Sequence, residues 1–305
     1  MARVLVTGGA GFIGSNIARR ALERGDTVRI IDNLSGGRED AVPEGAELVR
    51  ADLREPAALD EICDVDLIFH QAAVRSVPRS LDEPRLTHET NVNGTLNLLL
   101  AAEKHNVKRL VYASSSSVYG DVGDQKNVET LTPNPRSPYA ASKLTGEYYC
   151  RVWAHLGRLS TTTLRYFNVF GPGQHPESKY SAVFPAFIAA LKAGRAPTIY
   201  GDGDQSRDFT FIDDVVDANL KAADAPDADG AVLNVASGNP KSVNEVLKTV
   251  ADELGVWVEP SYEDPRVGDI RNSHADITQV RATLSWEPQV PWDEAVRTTV
   301  KWFSD

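Results

Sequence analysis

Tyr139 and Lys143 stand four residues apart in the run Pro138-Tyr-Ala-Ala-Ser-Lys143, a spacing that puts both side chains on one face of a helix. Pro138 suits the first turn of that helix, where its missing N–H leaves no bond unmade. A free phenol, with a pKa of about 10, is a poor base at neutral pH. An ammonium beside it favours the phenolate. The pair reads as a proton-abstracting tyrosine with a lysine that tunes it, although such spacing also arises by chance. Ser114-Ser115-Ser116-Ser117-Val118-Tyr119-Gly120 adds a third element, after the apolar run Arg109–Ala113. That is the carboxyl end of a strand, where open α/β sheets place their ligands. A serine hydroxyl there can share or relay the substrate proton. A serine run alone could be a flexible loop, but this one caps a buried strand and rejoins Val118-Tyr119.

A second constellation opens the chain. Thr7-Gly8-Gly9-Ala10-Gly11-Phe12-Ile13-Gly14 follows the first apolar run and leads into an amphipathic stretch. Gly8 permits a tight turn, Gly11 lets the backbone approach a pyrophosphate, and Gly14 lets helix and strand pack closely. The helix N-terminus offers free N–H groups to phosphates. Asp32 closes the second strand, 18 residues after Gly14. A carboxylate there accepts bonds from a ribose 2′-OH and repels a 2′-phosphate, which favours NAD over NADP; the plain alternative is that it caps a turn. Asp52-Leu53 falls after the third strand, where an adenine edge and face need a polar and an apolar partner.

These residues need a scaffold. Arg3–Thr7, Thr27–Ile31, Asp66–His70 and Arg109–Ala113 are short, apolar and bounded by Gly, Asp or Ser, so they read as strands buried on both faces of a parallel sheet. Helical patterns over Phe12–Arg24 and His88–His105 lie between them. The alternation predicts a Rossmann-type doubly wound α/β fold. From about Gly171 helical pieces (Ser181–Ala193, Val243–Leu254, Trp292–Phe303) alternate with Pro- and Gly-containing loops and short strands. We expect an NAD-binding domain over 1–170 and a smaller, discontinuous substrate domain over 171–305. Thr161–Tyr166 and Val232–Val235, within a return near 205–240, are expected to rejoin the large sheet.

Composition narrows the function. The 305 residues allow one large or two small domains, and 42% hydrophobic with 25% charged residues is ordinary for a globular chain. A formal charge of −11 argues against nucleic acid or an anionic membrane as partner. No apolar run approaches the roughly 18–20 residues needed to span a bilayer, and the start lacks the apolar stretch of a signal peptide. The two cysteines, Cys63 and Cys150, read as reduced thiols, so a cytoplasmic location is expected. The six histidines form no ligand-spaced cluster, and no metal is expected.

Taken together, the motifs resemble the extended short-chain dehydrogenases, specifically the NAD-dependent epimerase/dehydratase family. The matching blocks include His70-Gln-Ala-Ala73, Asn91-Val-Asn-Gly-Thr95, Arg165-Tyr-Phe-Asn-Val-Phe-Gly-Pro172 and Ser206-Arg-Asp-Phe209, in the family's order. The resemblance implies Tyr139 as base, Lys143 as its tuner and nicotinamide-ribose contact, and Ser115 as proton relay, with Ser116 a possible substitute. For the NAD site it implies Gly8, Gly11, Phe12, Ile13 and Gly14, then Asp32, Asn33, Ser35 and Gly36. Asp52, Leu53, Gln71, Ala72, Ala73 and Phe167 complete it. For a UDP-sugar it implies Ser76, Asn168, Val183, Tyr200, Arg207, Arg266, Asp269 and Ser273 beside the catalytic groups. Arg207 and Arg266 would grip the diphosphate with planar forks of donors, unless Arg207 pairs with Asp208 at the surface and Arg266 is a loop charge.

Dehydratases resembling this chain carry an acid and a base after the relay serine; here Ser116 and Ser117 stand there, which disfavours dehydration. Ser273 is small at a position that is large in epimerases restricted to plain hexoses, so acetamido sugars are expected to fit. Arg75 keeps a uronic acid substrate open. The expected activity is a UDP-hexose 4-epimerase with tightly held NAD, as a homodimer by analogy. A net oxidoreductase is the second choice, and a non-catalytic NAD sensor would be expected to have lost the catalytic trio.

Overall fold

The computed structural model describes residues 1–174, 183–265 and 270–304. Six parallel strands, β1 (Arg3–Thr7), β2 (Thr27–Asp32), β3 (Glu47–Arg50), β4 (Leu67–His70), β5 (Arg109–Ser115) and β6 (Ser160–Tyr166), join with Val232–Val235 into one sheet. The order is Val232–Val235, β6, β5, β4, β1, β2, β3. Successive strands are added outward in opposite directions from the β1–β4 boundary, so a crevice opens at the carboxyl ends of β1 and β4. Register places Val6 beside Ile30 on one side and Phe69 on the other. Alternate side chains enter two separate cores: Val4, Val6, Ile30, Phe69 and Val111 face one layer, while Leu5, Ile31, Ile68 and Leu110 face the other. Burial on both faces is why these strands read as continuous apolar runs.

Helix α1 (Phe12–Glu23) buries Ile17, Ala18 and Ala21 against the first face, beside the helix Ile212–Asp224. The helices Gly94–Lys104 and Pro138–His155 cover the second face with Leu98, Leu99, Cys150 and Trp153. The architecture is therefore three-layered, as the strand–helix alternation predicts.

The second half adds the small sheet in which Ser206–Arg207 pairs with Lys241–Ser242 and Asn272–Ser273, and a pairing of Thr198–Tyr200 with Ser261–Glu263. Its helices are Val183–Lys192, Val243–Leu254 and Trp292–Trp302; the first two residues of the expected Ser181–Ala193 helix lie outside the described residues. Phe170 stacks on Phe184 at 4.2 Å and meets Phe209 and Trp292 edge-on or tilted, tying this half to the segment that leaves β6. Among the described residues no helix is long and apolar enough to cross a membrane.

One expected element differs. The single helix expected over His88–His105 is a short helix Pro84–His88, a wide π-helical turn Glu89–Asn93 and the helix Gly94–Lys104. The Thr95 hydroxyl donates to the Asn91 carbonyl at 2.6 Å, diverting an acceptor from the helical ladder. The buried Asn91 amide bonds both backbone groups of Val74 and the Ser142 hydroxyl. Tertiary contacts thus hold a widened turn, of a kind frequent near functional sites, which the apolar periodicity does not register.

Candidate active site

Ser137 opens the helix Pro138–His155 by accepting the Ala140 N–H at 3.1 Å, with Pro138 in the first turn. Such a cap contributes about 1 kcal/mol and fixes where Tyr139 emerges. Gly146 brings this helix onto β5: a Cβ there would lie 2.1 Å from the Tyr112 hydroxyl. The close approach sets Lys143 against the strand end. Its ammonium donates to the Ala113 carbonyl at 2.7 Å and sits 5.2 Å from the Tyr112 ring centre. Burial lowers Lys143 to about 8, opposed by Cys150 and Glu147. Glu147, one turn on, holds a buried bidentate pair with Arg165 at 2.9 and 2.7 Å and accepts from Ser114.

Tyr139 and Ser115 come together. Burial raises the phenol, while a hydrogen bond with Ser115 and the charge of Arg75 pull it down. The cation acting on the phenol is thus Arg75, from the loop after β4, whereas Lys143 is turned toward Ala113. Spacing alone predicts the reverse. Ser115 ends β5 in extended conformation and caps a short 3-10 turn, Ser116–Tyr119; its hydroxyl accepts the Ser117 N–H at 3.2 Å and the Ser117 hydroxyl at 2.9 Å.

A cleft of about 390 Å³ runs from Tyr139, Lys143 and Ser114 along the strand ends. Gly8, Gly11, Phe12, Ile13 and Gly14 line it at one end, with Asp32, Asn33, Ser35 and Gly36 beyond, and Asp52, Leu53, Gln71, Ala72 and Ala73 beside them. The glycine loop fits a pyrophosphate because it has no room for side chains. A Cβ on Gly14 would lie 2.3 Å from the Gly8 carbonyl, and Gly8 itself has φ +68° with Ala72 at 2.8 Å. The Asp32 carboxylate accepts the Ala10 N–H at 3.1 Å and the Leu34 N–H at 2.8 Å, so it both holds the turn and borders the cleft. Burial raises its pKa, and those two bonds oppose the rise. Asp52 is held at about 2 by the Arg54 guanidinium and accepts from Asn33 at 2.7 Å. Phe167 is the exception in this set. Its ring is fully buried near Tyr119, its N–H goes to Val235 and its carbonyl accepts from Thr210. Its side chain does not border the cleft.

The residues expected to hold a sugar nucleotide are spread more widely. Arg75 and Arg79 line the cleft, while Ser76 between them is the N-cap of Val77–Asp82, with a strained φ of +95°. Asn168, two residues beyond the cleft-lining Tyr166, is exposed with φ +28° and donates to the Asp208 carbonyl. Arg207 and Ser273 are neighbours across paired strands, with Ser273 buried. Val183 begins the helix Val183–Lys192 and Tyr200 ends its strand, both half-buried. Arg266 and Asp269 lie outside the described residues.

The surface ion pair considered for Arg207 and Asp208 does not form. Asp208 is fully buried and accepts from the Ser237 N–H and hydroxyl, the Gly238 N–H and the Ala275 N–H. This carboxylate pins the strand of Arg207 to two loops. Its adjacency to Arg207 in sequence gave no sign of that, because the donors come from residues 29 to 67 positions away. Arg75 as the charge on Tyr139, and Ser117 as the double donor to Ser115, are likewise visible only in three dimensions. Among the described residues no group of three or more His, Cys, Asp or Glu is placed to hold a metal ion.

Comparison with known proteins places this geometry. The sequence pattern of the NAD dependent epimerase/dehydratase family matches residues 4–236. A UDP-glucose 4-epimerase of Mycolicibacterium smegmatis is 39% identical over 99% of this chain and 98% of its own. The structure of a UDP-N-acetylglucosamine 4-epimerase from Methanobrevibacter ruminantium, in complex with UDP-N-acetylmuramic acid, superposes with a TM-score of 0.95 at 39% identity, covering 99% and 98% of the two chains. That of a Thermus thermophilus UDP-glucose 4-epimerase in complex with NAD gives 0.92 at 37%, covering 99% of each. With its seven-stranded parallel sheet, glycine loop and Tyr139–Ser115 pair, the chain belongs to the NAD-dependent epimerase/dehydratase family.

Proposed function

We propose that the chain interconverts the gluco and galacto configurations at C4 of UDP-hexoses, taking UDP-N-acetylglucosamine and UDP-N-acetylgalactosamine as well as UDP-glucose and UDP-galactose. The observation that carries this reading is the placement of Tyr139 near Ser115 at the end of a dinucleotide-shaped cleft, with Ser116 and Ser117 rather than carboxylates following Ser115. A base for C5 and an acid for C6, which dehydration needs, are missing from those positions.

Gly8, Gly11, Gly14 and Asp32 would hold NAD, with Asp52 and Leu53 at its adenine end and Lys143 at its nicotinamide ribose. When bound, it supplies hydride acceptance from C4 and return to either face, through a transient 4-keto sugar. Tyr139 takes the C4 hydroxyl proton and gives it back. Arg207, with Arg266, anchors the diphosphate, so that binding remote from C4 orients the sugar while leaving it free to turn. Ser273, small and beside Arg207, leaves room for an acetamido group. Arg75 gives one specific reason to consider UDP-uronic acids, since it borders the cleft and its charge reaches Tyr139. A cytoplasmic homodimer completes the proposal; both thiols are free and buried.

The test is incubation of the purified protein, without added cofactor, with UDP-N-acetylglucosamine and separately with UDP-glucose, followed by proton NMR. Appearance of the C4 epimer in both supports the reading. A 4-keto-6-deoxy product, or turnover of a UDP-uronic acid alone, overturns it.

A further inference from the structure

We infer that Asn219, outside the cleft, is a positioning residue that turns Gln71 so that it offers the bound dinucleotide only an acceptor oxygen. A side-chain amide has two protons on its nitrogen and lone pairs on its oxygen, and its orientation is read from its partners. Asn219 is fully buried on the helix Ile212–Asp224 and does not border the cleft. Its nitrogen donates to the Val215 carbonyl at 2.7 Å, one turn earlier. Its oxygen then accepts from the Tyr166 hydroxyl at 2.8 Å and from the Gln71 amide nitrogen at 3.3 Å.

The Gln71 nitrogen is also 3.1 Å from the Tyr166 oxygen. Burial raises the Tyr166 phenol, so it keeps its single proton, for which there are two acceptors. The Asn219 oxygen is at 2.8 Å and the Gln71 oxygen at 3.4 Å, and the shorter bond takes the proton. Tyr166 therefore donates to Asn219 and accepts from Gln71, and both Gln71 amide protons are used within the triad. Turning the Gln71 amide over would set its oxygen against the Asn219 oxygen, two acceptors with no proton between them.

Gln71 and Tyr166 both line the cleft, beside Ala113, Ser114, Tyr139 and Lys143. Gln71 follows β4, with its N–H on the Thr7 carbonyl at the end of β1, and Tyr166 closes β6. They stand on the opposite side of β1 from β2 and β3, which lead to Asp32 and Asp52. With Asp32 on the adenosine ribose, the nicotinamide riboside half of NAD falls on their side. The donors that half carries are its carboxamide NH2 and its ribose hydroxyls. Gln71 meets them with its oxygen, and Asn219, 148 positions away in sequence, imposes that choice. The inference does not depend on which sugar is turned over.

The test is cofactor exchange on the full-length holoenzyme, read as the rate at which bound NAD leaves when chased with excess labelled NAD. Asn219→Leu, which removes the acceptor, should speed release about tenfold, the loss of about one hydrogen bond. Gln71→Leu should do the same, and the two together should do no more than either alone. Asn219→Asp has the same shape, and burial keeps it protonated; it retains an acceptor for Tyr166 and a proton for Val215, and should stay within about threefold of the parent. A holoenzyme carrying acetylpyridine adenine dinucleotide, in which a methyl group replaces the carboxamide NH2, identifies the donor. If Gln71→Leu no longer speeds release of that analogue, the partner is the carboxamide; if it still does, the partner is a ribose hydroxyl. Should Asn219→Leu not fold, Tyr166→Phe, which removes the hydroxyl between the two amides, should speed release about threefold. Unchanged release in the folded variant, or a double variant whose effects multiply, overturns the inference. So does an equal loss in Asn219→Leu and Asn219→Asp, the result a purely structural role predicts.

Discussion

Lys143 carries its charge where burial disfavours it, and this has two opposite consequences. Its pKa in the fold is about 8 against an ordinary 10.5, so between those values the unfolded chain binds more protons than the folded one. Stability contributed at this site therefore rises with pH from about 8 to 10.5, and below 8 the buried ammonium is a net cost. Activity should move the other way, falling as pH rises through about 8 and the ammonium is lost. Lys143→Met should melt no lower than the parent at neutral pH yet lose about 10²-fold or more in kcat. Melting curves and a pH–rate profile check both halves; a marked loss of melting temperature would make Lys143 structural instead. Ser273 makes a different claim at the same scale. Ser273→Tyr should abolish turnover of the acetamido sugar, leaving UDP-glucose within a few-fold, and an equal loss on both would detach this residue from sugar selection.

At the scale of elements, the glycine loop and the β1–β4 junction are the sensitive parts. Gly14→Ala places a methyl carbon 2.3 Å from the Gly8 carbonyl, a contact only backbone movement can relieve. Isothermal titration of NAD into the cofactor-free variant should show binding weakened at least tenfold, with the rest of the fold intact. His70 links three elements. The Thr95 hydroxyl already donates to Asn91, so His70 Nε2–H donates to Thr95 at 2.9 Å and Nδ1 accepts from Thr7 at 2.7 Å. Burial holds its pKa at about 3 against 6.5, so the unfolded state binds the extra proton between those values. Stability is lost as pH falls from 6.5 toward 3. His70→Gln should melt lower at neutral pH but lose less on acidification, by calorimetry across that window. The same loss as in the parent would place the acid sensitivity elsewhere.

For the whole molecule, three helices leave large apolar side chains uncovered. Leu81 on Val77–Asp82, Leu100 on Gly94–Lys104, and Tyr148 and Val152 on Pro138–His155 are 60%, 51%, 51% and 47% exposed. The helices that carry them pack on one another, and we propose that a second copy covers these side chains about a two-fold axis. Sedimentation should give a dimer, and Tyr148→Glu combined with Val152→Glu should give monomers. A monomeric parent would refute the proposal.

The strands, the loop–helix junction at Gly8–Gly14 and the pairing of Tyr139 with Lys143 on one helix face follow from local spacing, and sequence by itself determined them. Buried strands announce themselves by unbroken apolar runs, and the glycines by a need for close backbone approach. Phe167 in the core, the broken helix at Glu89–Asn93, the burial of Asp208 and the turning of Lys143 toward Ala113 were decided only by tertiary structure. Each depends on hydrogen-bond donors or acceptors drawn from distant segments: Val235 and Thr210 for Phe167, Val74 for Asn91, Ser237 and Ala275 for Asp208, Ala113 for Lys143. The sequence determined which groups could do the chemistry; the fold decided how they are oriented and which charge faces the phenol, because those bonds form only when remote strand ends meet.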